Sequence, residues 1–132
     1  MPFKLRFAQN KDNFDIKSLG CDDFDGQLQH NVSAHPKVNA VTGEFLAFGY
    51  NMQKPVVHYT LFDRNRKKLN RMDIDITSMR MIHDFPVTQN YVIIPDLPME
   101  FKPDKAIKEG GFVFKYDPKQ DAKYAIMHKM NN

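Results

Sequence analysis

The stretch from Met79 to Asp96 constrains the fold most strongly, because its pattern is typical of two β-strands joined by a turn. Its valines, isoleucines and tyrosine suit a pleated, half-buried surface, whereas the Thr-Gln-Asn step at 88–90 favours a turn. Alternate side chains of a strand share a face, so the pattern predicts Met81, His83 and Phe85 on one face and the residues between them on the other. A titratable, metal-capable imidazole is therefore expected among apolar groups at a strand end.

Similar β-prone runs recur along most of the chain, and no stretch shows a helical period of useful length. Two short strands should come first, followed by two groups of four antiparallel strands. The predicted strands are Lys4–Phe7, Asp15–Leu19, Val32–Pro36, Phe45–Tyr50, Val56–Phe62, Leu69–Ile76, the run around His83, Tyr91–Ile94, Phe112–Tyr116 and Lys123–Met127. The pattern predicts an all-β fold of antiparallel, four-stranded sheets.

One segment between these strands, Leu97 to Gly111, is rich in proline and glycine and is expected to be a long loop. Loops of this length tend to be lids or binding elements. We expect at most one helical turn, at Asp104 to Lys108, and we expect Met99 and Phe101 to point inward.

A second histidine, His35, precedes a proline at the end of an earlier run and lies 48 residues before His83. That interval is close to the roughly 40–50 residues of a four-stranded propeller blade. The two imidazoles would then occupy equivalent inner positions of adjacent blades and converge on a central axis, which suits a metal site. A single histidine in such a setting is more often a core residue with one hydrogen-bond partner, and this alternative stays open for each ring. His30 and His58 are expected to be a loop residue and a partly exposed strand residue.

Length and composition favour one domain spanning residues 1–132 in a reducing compartment. The net charge of +3 is too small to indicate nucleic-acid binding. The basic residues at 64–71 fit a solvated hairpin tip better than a membrane or nucleic-acid surface. Cys21 is the single cysteine, and no signal-peptide pattern or membrane-spanning apolar run is present. We therefore expect a cytoplasmic protein.

Short motifs follow one another along nearly the whole chain. They are Asp23-Phe24-Asp25-Gly26-Gln27-Leu28, Ser33-Ala34-His35-Pro36-Lys37-Val38, Thr42-Gly43-Glu44, Ile82-His83-Asp84-Phe85 with Thr88 and Tyr91, and Pro95-Asp96-Leu97-Pro98-Met99. In order and spacing they resemble the carotenoid cleavage oxygenase family, most nearly its plant-type carotenoid cleavage dioxygenases.

The resemblance implies about two and a half blades of a seven-bladed β-propeller whose axial non-haem Fe(II) is held by four histidines. His35 and His83 match the family's first two iron ligands. The implied reaction inserts O2 across a conjugated C=C bond of a carotenoid or apocarotenoid and yields aldehyde or ketone products. The resemblance also implies a peripheral membrane contact through an apolar patch around a tunnel mouth, which no residues here can be assigned to. It implies no nucleic-acid partner.

The chain departs from the family in length, because family members are several times longer. The other two ligand histidines would lie downstream of Met130, and an outer-shell glutamate would lie upstream of the segment resembling Met1 to Arg6. We expect these 132 residues to be a partial gene model or a truncated product. The alternative to a part of an active dioxygenase is a catalytically inactive propeller fragment that acts at most as an apolar-ligand or protein-binding module.

Overall fold

The chain is a series of antiparallel strands with one short helix, as seen in a computed structural model that describes residues 1–10, 13–51, 57–76 and 79–130. The elements are β1 (Phe3–Asn10), β2 (Asn13–Cys21), β3 (Lys37–Val38), β4 (Phe45–Tyr50), β5 (Val57–Phe62), β6 (Lys68–Ile74), β7 (Tyr91–Asp96), β8 (Met99–Phe101), α1 (Pro103–Glu109), β9 (Phe114–Tyr116) and β10 (Lys123–His128). The predicted all-β class is confirmed. Residues 11–12, 52–56, 77–78 and 131–132 lie outside the described residues, and with them Val56, the first residue of a predicted strand.

The central sheet is a four-stranded meander in the order β3-β4-β5-β6, with every neighbouring pair antiparallel. Strands β4 and β5 are almost entirely buried. For β4 this agrees with a run that is apolar on both faces. Two side chains hold the predicted turns. The carboxylate of Asp63 accepts hydrogen bonds from the backbone of residues 65 and 67, and the Asn39 amide oxygen accepts from residues 41 and 42.

This sheet is covered on both faces. On one face Leu46, Phe48 and Tyr59 belong to the larger core cluster, together with Ile82, Phe85, Val92 and Ile94 from the later chain. On the other face Ala47 and Phe62 pack with Phe24 and Leu28. The segment that carries His83 is therefore held against the central sheet by apolar packing.

The second group of strands differs from the prediction. Strand β7 pairs directly with β10, and β9 pairs with β8, so the strand near Phe112 does not join the second sheet. Around His83 the chain makes isolated bridges only at Arg80 and Val87 within the part that the structure describes. Pro86 in this segment has no backbone N–H to contribute to a ladder.

The segment from Leu97 to Gly111 is also not the predicted loop, because it forms β8 and α1. Its helix has the signals that the sequence carries: Pro103 at the start, Asp104 in the first turn, Lys108 in the last, and Gly110 at φ 75° after the end. The ring of Phe101 lies 5.2 Å from the ring of Phe114 on β9, so the segment closes on itself as a hairpin. Met99 and Phe101 are half-buried. Within the described residues, no helix is long and apolar enough to cross a membrane.

An ion pair joins the start of β4, in the central sheet, to the end of β10. The Lys129 ammonium lies 2.8 Å from the Glu44 carboxylate, and the Lys129 backbone bonds to Asn90 and Asn70. These contacts give Glu44 a structural role. The hydrogen bond from Lys129 holds the pKa of Glu44 below its ordinary value.

We predict that Glu44→Gln lowers the free energy of unfolding by about 1–2 kcal/mol at pH 7, because a charge-assisted hydrogen bond is lost. A carboxyl whose folded pKa is lowered stabilises the fold above its unfolded pKa, and that stability is lost as the pH falls through the folded pKa. The difference between the two proteins should therefore shrink below about pH 4. Urea titrations from pH 7 to pH 3 measure it, with Glu109→Gln on the exposed helix as control. An equal difference at every pH would contradict the ion-pair explanation.

Candidate metal centre

His35 lies in an irregular segment just before β3. The Ser33 backbone N–H donates to the Phe48 carbonyl at 2.7 Å, which attaches this segment to β4. Gly49 permits the close approach, because a Cβ at this position would lie 1.9 Å from the Asn31 carbonyl oxygen. Regular pairing begins only at Lys37, after Pro36, so the prediction of a strand at Val32–Pro36 is wrong. The His35 ring is half-buried.

His83 lies on an extended segment whose side chains do not alternate as predicted. Ile82 and Phe85 are both buried, whereas His83 and Asp84 are both exposed. The prediction that His83 and Phe85 share a face is wrong. The Asp84 carboxylate accepts the Phe85 backbone N–H at 2.7 Å, and this local bond turns the chain where a regular strand would have continued.

The two imidazoles nevertheless converge. The Nε2 atoms of His35 and His83 lie 2.8 Å apart, and the ring centroids lie 4.5 Å apart at an interplanar angle of 62°. A hydrogen bond at this distance requires one Nε2 to carry hydrogen and the other to present its lone pair. Two imidazole nitrogens bound at about 2.1 Å, at right angles around one metal, lie about 3.0 Å apart. The pair therefore fits two neighbouring positions of a metal with only a small adjustment.

Two contacts between side chains and the opposite segment flank the pair. The Ser33 hydroxyl donates to the His83 carbonyl at 2.8 Å, and the Lys37 ammonium lies 2.5 Å from the Asp84 carboxylate. The Lys37 contact lowers the pKa of Asp84. Beside the pair lies a cavity of about 290 Å³, whose wall includes Gly49, Ile82 and His83. Asp84 is the carboxylate next to His83 in the sequence, and its ion pair with Lys37 gives it a structural role.

The other histidines do not join this centre, and one of them differs from expectation. His58, predicted to be partly exposed, is buried, with Nδ1 2.8 Å from the Asp73 carboxylate and Nε2 2.6 Å from the Asn51 amide. His30 is also buried: its Nε2 lies 2.7 Å from the Thr60 hydroxyl, and burial lowers its pKa. His58 and Thr60 are two residues apart on β5 and therefore share a face. This spacing is the sequence signal for the polar network.

His128 lies on β10, and its exposed ring packs 5.7 Å from that of Tyr91. Across the described ranges, no set of three or more His, Cys, Asp or Glu side chains could hold a metal ion together. The centre within these ranges therefore consists of two imidazoles.

Residues 7–132 match the family model described as RPE65, retinal pigment epithelial membrane protein. The carotenoid 9,10(9′,10′)-cleavage dioxygenase 1 of Arabidopsis thaliana is 36% identical over 113 residues, which are 86% of this chain and 21% of the relative. The Crocus sativus carotenoid 9,10(9′,10′)-cleavage dioxygenase is 35% identical over the same shares.

Solved structures show the same likeness. The Pseudomonas brassicacearum lignostilbene dioxygenase superposes with a TM-score of 0.73 at 30% identity, over 85% of this chain and 24% of the other. A cobalt-substituted Synechocystis apocarotenoid oxygenase superposes with a TM-score of 0.67 at 20% identity, over 87% of this chain and 26% of the other. The chain belongs to the RPE65/carotenoid cleavage dioxygenase family, and the predicted part-propeller fold is confirmed. It spans about a fifth of the length of these curated relatives.

Proposed function

We propose that this chain forms part of a non-haem Fe(II) dioxygenase that cleaves a conjugated C=C bond of a carotenoid or apocarotenoid. The observation that carries the proposal is the 2.8 Å separation of the His35 and His83 Nε2 atoms in a chain of this family. Neutral imidazoles are suitable ligands for Fe(II). When bound, the iron supplies the redox chemistry that activates O2 for insertion into the polyene.

The role of the two side chains in this proposal is to hold the metal and to exchange a proton. In the ring–ring hydrogen bond one Nε2 carries hydrogen, whereas metal binding requires both Nε2 lone pairs. The donating ring must therefore change to the Nδ1–H tautomer: Nε2 gives its proton to solvent, Nδ1 takes one up, and the ring stays neutral. This exchange couples metal binding to the opening of the ring–ring contact.

The described residues contribute two ligands, so the remaining ligands have to come from other polypeptide. Two imidazoles leave most of the iron coordination sphere to water. We therefore propose that the 132 residues alone bind Fe(II) weakly and do not turn over a polyene. The presence of only two candidate ligands among the described residues also favours the second candidate, an inactive module that binds an apolar ligand or a partner protein.

We predict that His35→Ala and His83→Ala each raise the dissociation constant for Co²⁺, used as an air-stable probe for Fe²⁺, by about 10-fold or more. Each variant removes one of two protein ligands, and a single imidazole retains little affinity. Anaerobic calorimetric titration measures the constants. His128→Ala is the matched control, because that ring is exposed and lies outside the pair.

A chimera tests the catalytic part of the proposal. This chain would replace the matching fifth of the Arabidopsis dioxygenase, and cleavage would be followed as loss of polyene absorbance with formation of aldehyde. We expect cleavage by the chimera and none after His35→Ala or His83→Ala. Equal Co²⁺ affinity in all variants, or cleavage by either alanine chimera, would show that the two histidines are not ligands.

A further inference from the structure

The spacing of the two imidazoles needs a cause, because backbone pairing does not supply one. His35 lies before the first residue of β3, and the nearest bridges on the His83 segment are at Arg80 and Val87. A segment without a continuous ladder retains freedom to shift along and away from its neighbour. Apolar packing of Ile82 and Phe85 keeps this segment against the central sheet, and a polar contact between the two segments is needed to fix how close His83 comes to His35.

Ser33 is the side chain that contacts the backbone on both sides of the pair. Its hydroxyl donates to the His83 carbonyl at 2.8 Å and lies 3.4 Å from the His35 backbone N–H, a long and weak contact. Its own backbone N–H donates to the Phe48 carbonyl at 2.7 Å. Ser33 thus connects the His83 segment directly to buried strand β4.

The neighbouring ion pair of Lys37 and Asp84 joins the same two segments but is a weaker constraint. Asp84 is exposed and the Lys37 side chain is one-third exposed, so water screens the pair, and a long lysine can follow a moving partner. A serine hydroxyl on one rotatable bond cannot do so. Of the two contacts, the one made by the short Ser33 side chain is therefore the stiffer constraint on the distance between the segments.

We infer that Ser33 is a positioning residue that sets the His35–His83 spacing and thereby the metal affinity of the pair. The affinity part of this inference rests on the proposed function. The spacing part does not, because the contact between the rings can be measured by itself. Ser33 acts on the pair through its contact with the His83 backbone and is not proposed as a ligand.

The experiment measures the ring–ring hydrogen bond directly. In metal-free protein with ¹⁵N-labelled histidine, an Nε2–Nε2 scalar coupling across the hydrogen bond reports the 2.8 Å contact. We expect the coupling in the wild-type protein and in Ser33→Thr, which keeps the hydroxyl and has the adjoining cavity for its methyl group. We expect it to be lost in Ser33→Ala. Ser18→Ala, on exposed strand β2, is the matched control and should keep it.

Co²⁺ titration of the same proteins provides the second readout. Ser33→Ala should raise the dissociation constant about 10-fold, the cost typical of losing a group that orients a metal ligand, and Ser33→Thr should restore it. A coupling that persists in Ser33→Ala, or one that is absent from the wild-type protein, overturns the inference. If the alanine variant does not fold, Ser33→Cys keeps the size with a weaker donor, and an undiminished coupling there overturns it equally. If His35→Ala leaves Co²⁺ binding unchanged, the proposed function fails while the coupling still decides the role of Ser33.

Discussion

Phe85→Ala is expected to lower the free energy of unfolding by about 3–5 kcal/mol, the usual cost of truncating a fully buried phenylalanine. The Phe85 ring is 1% exposed and contacts the Phe48 ring edge-on at a centroid distance of 4.6 Å. Phe48 is on β4, so this contact holds the His83 segment against the central sheet. The cavity left by alanine cannot collapse easily, because β4 and β5 are fixed in a four-stranded ladder.

The same substitution should also separate the two imidazoles, since Phe85 lies two residues after His83. Chemical denaturation measures the stability, and the Nε2–Nε2 coupling measures the pair in protein that remains folded. Phe112→Ala is the matched control: that ring is 67% exposed, and its loss should cost less than about 1 kcal/mol. A cost for Phe85→Ala no larger than that of the control would show that the segment is not held by core packing.

Arg80→Met is expected to cost about 3–5 kcal/mol, because it breaks a buried ion cluster by removing one partner. The Arg80 side chain is 6% exposed; its Nε lies 2.7 Å from the Asp96 carboxylate and one terminal nitrogen lies 2.7 Å from that of Glu100. Methionine keeps much of the volume but leaves two carboxylates without their buried guanidinium. Glu100 keeps contacts with Lys102 and Gln120, which places the cost toward the lower end.

This cluster holds the other end of the His83 segment, where Arg80 bridges β8. Chemical denaturation of Arg80→Met compared with Arg6→Met, an exposed arginine on β1, measures the contribution of the cluster. The second variant Glu100→Gln should recover part of the stability when combined with Arg80→Met, because it removes the charge of one of the two carboxylates that lost the guanidinium. Strictly additive losses in the double variant would contradict charge burial as the cause.

Much of the fold could be predicted from the sequence because local pattern and global fold agree there. The run Phe45–Tyr50 is apolar on both faces and is a buried strand, and the polar step after Phe62 is a hairpin turn held by Asp63. The helix at 103–109 was underestimated, although proline at its start and glycine after its end were visible signals. Hairpin partners over longer distances were not visible: β9 pairs with β8, and β7 with β10.

For the candidate site, the sequence by itself determined which residues are involved. A histidine before a proline and a histidine in a β-prone run, one blade length apart, identified His35 and His83 as the candidate ligands. It also determined that both segments would be extended and adjoin buried strands. The sequence did not predict the burial of His58.

Only the tertiary structure decided how the two rings meet. Their 2.8 Å contact depends on long-range pairs, Ser33 with His83, Lys37 with Asp84 and Phe48 with Phe85. No local periodicity encodes such contacts, because each joins residues whose separation is set by packing of one segment across another. The alternation of side chains failed at Asp84 for a local reason. The bond from its side chain to the next backbone N–H, together with the proline that follows, outweighed the strand geometry that the pattern predicts.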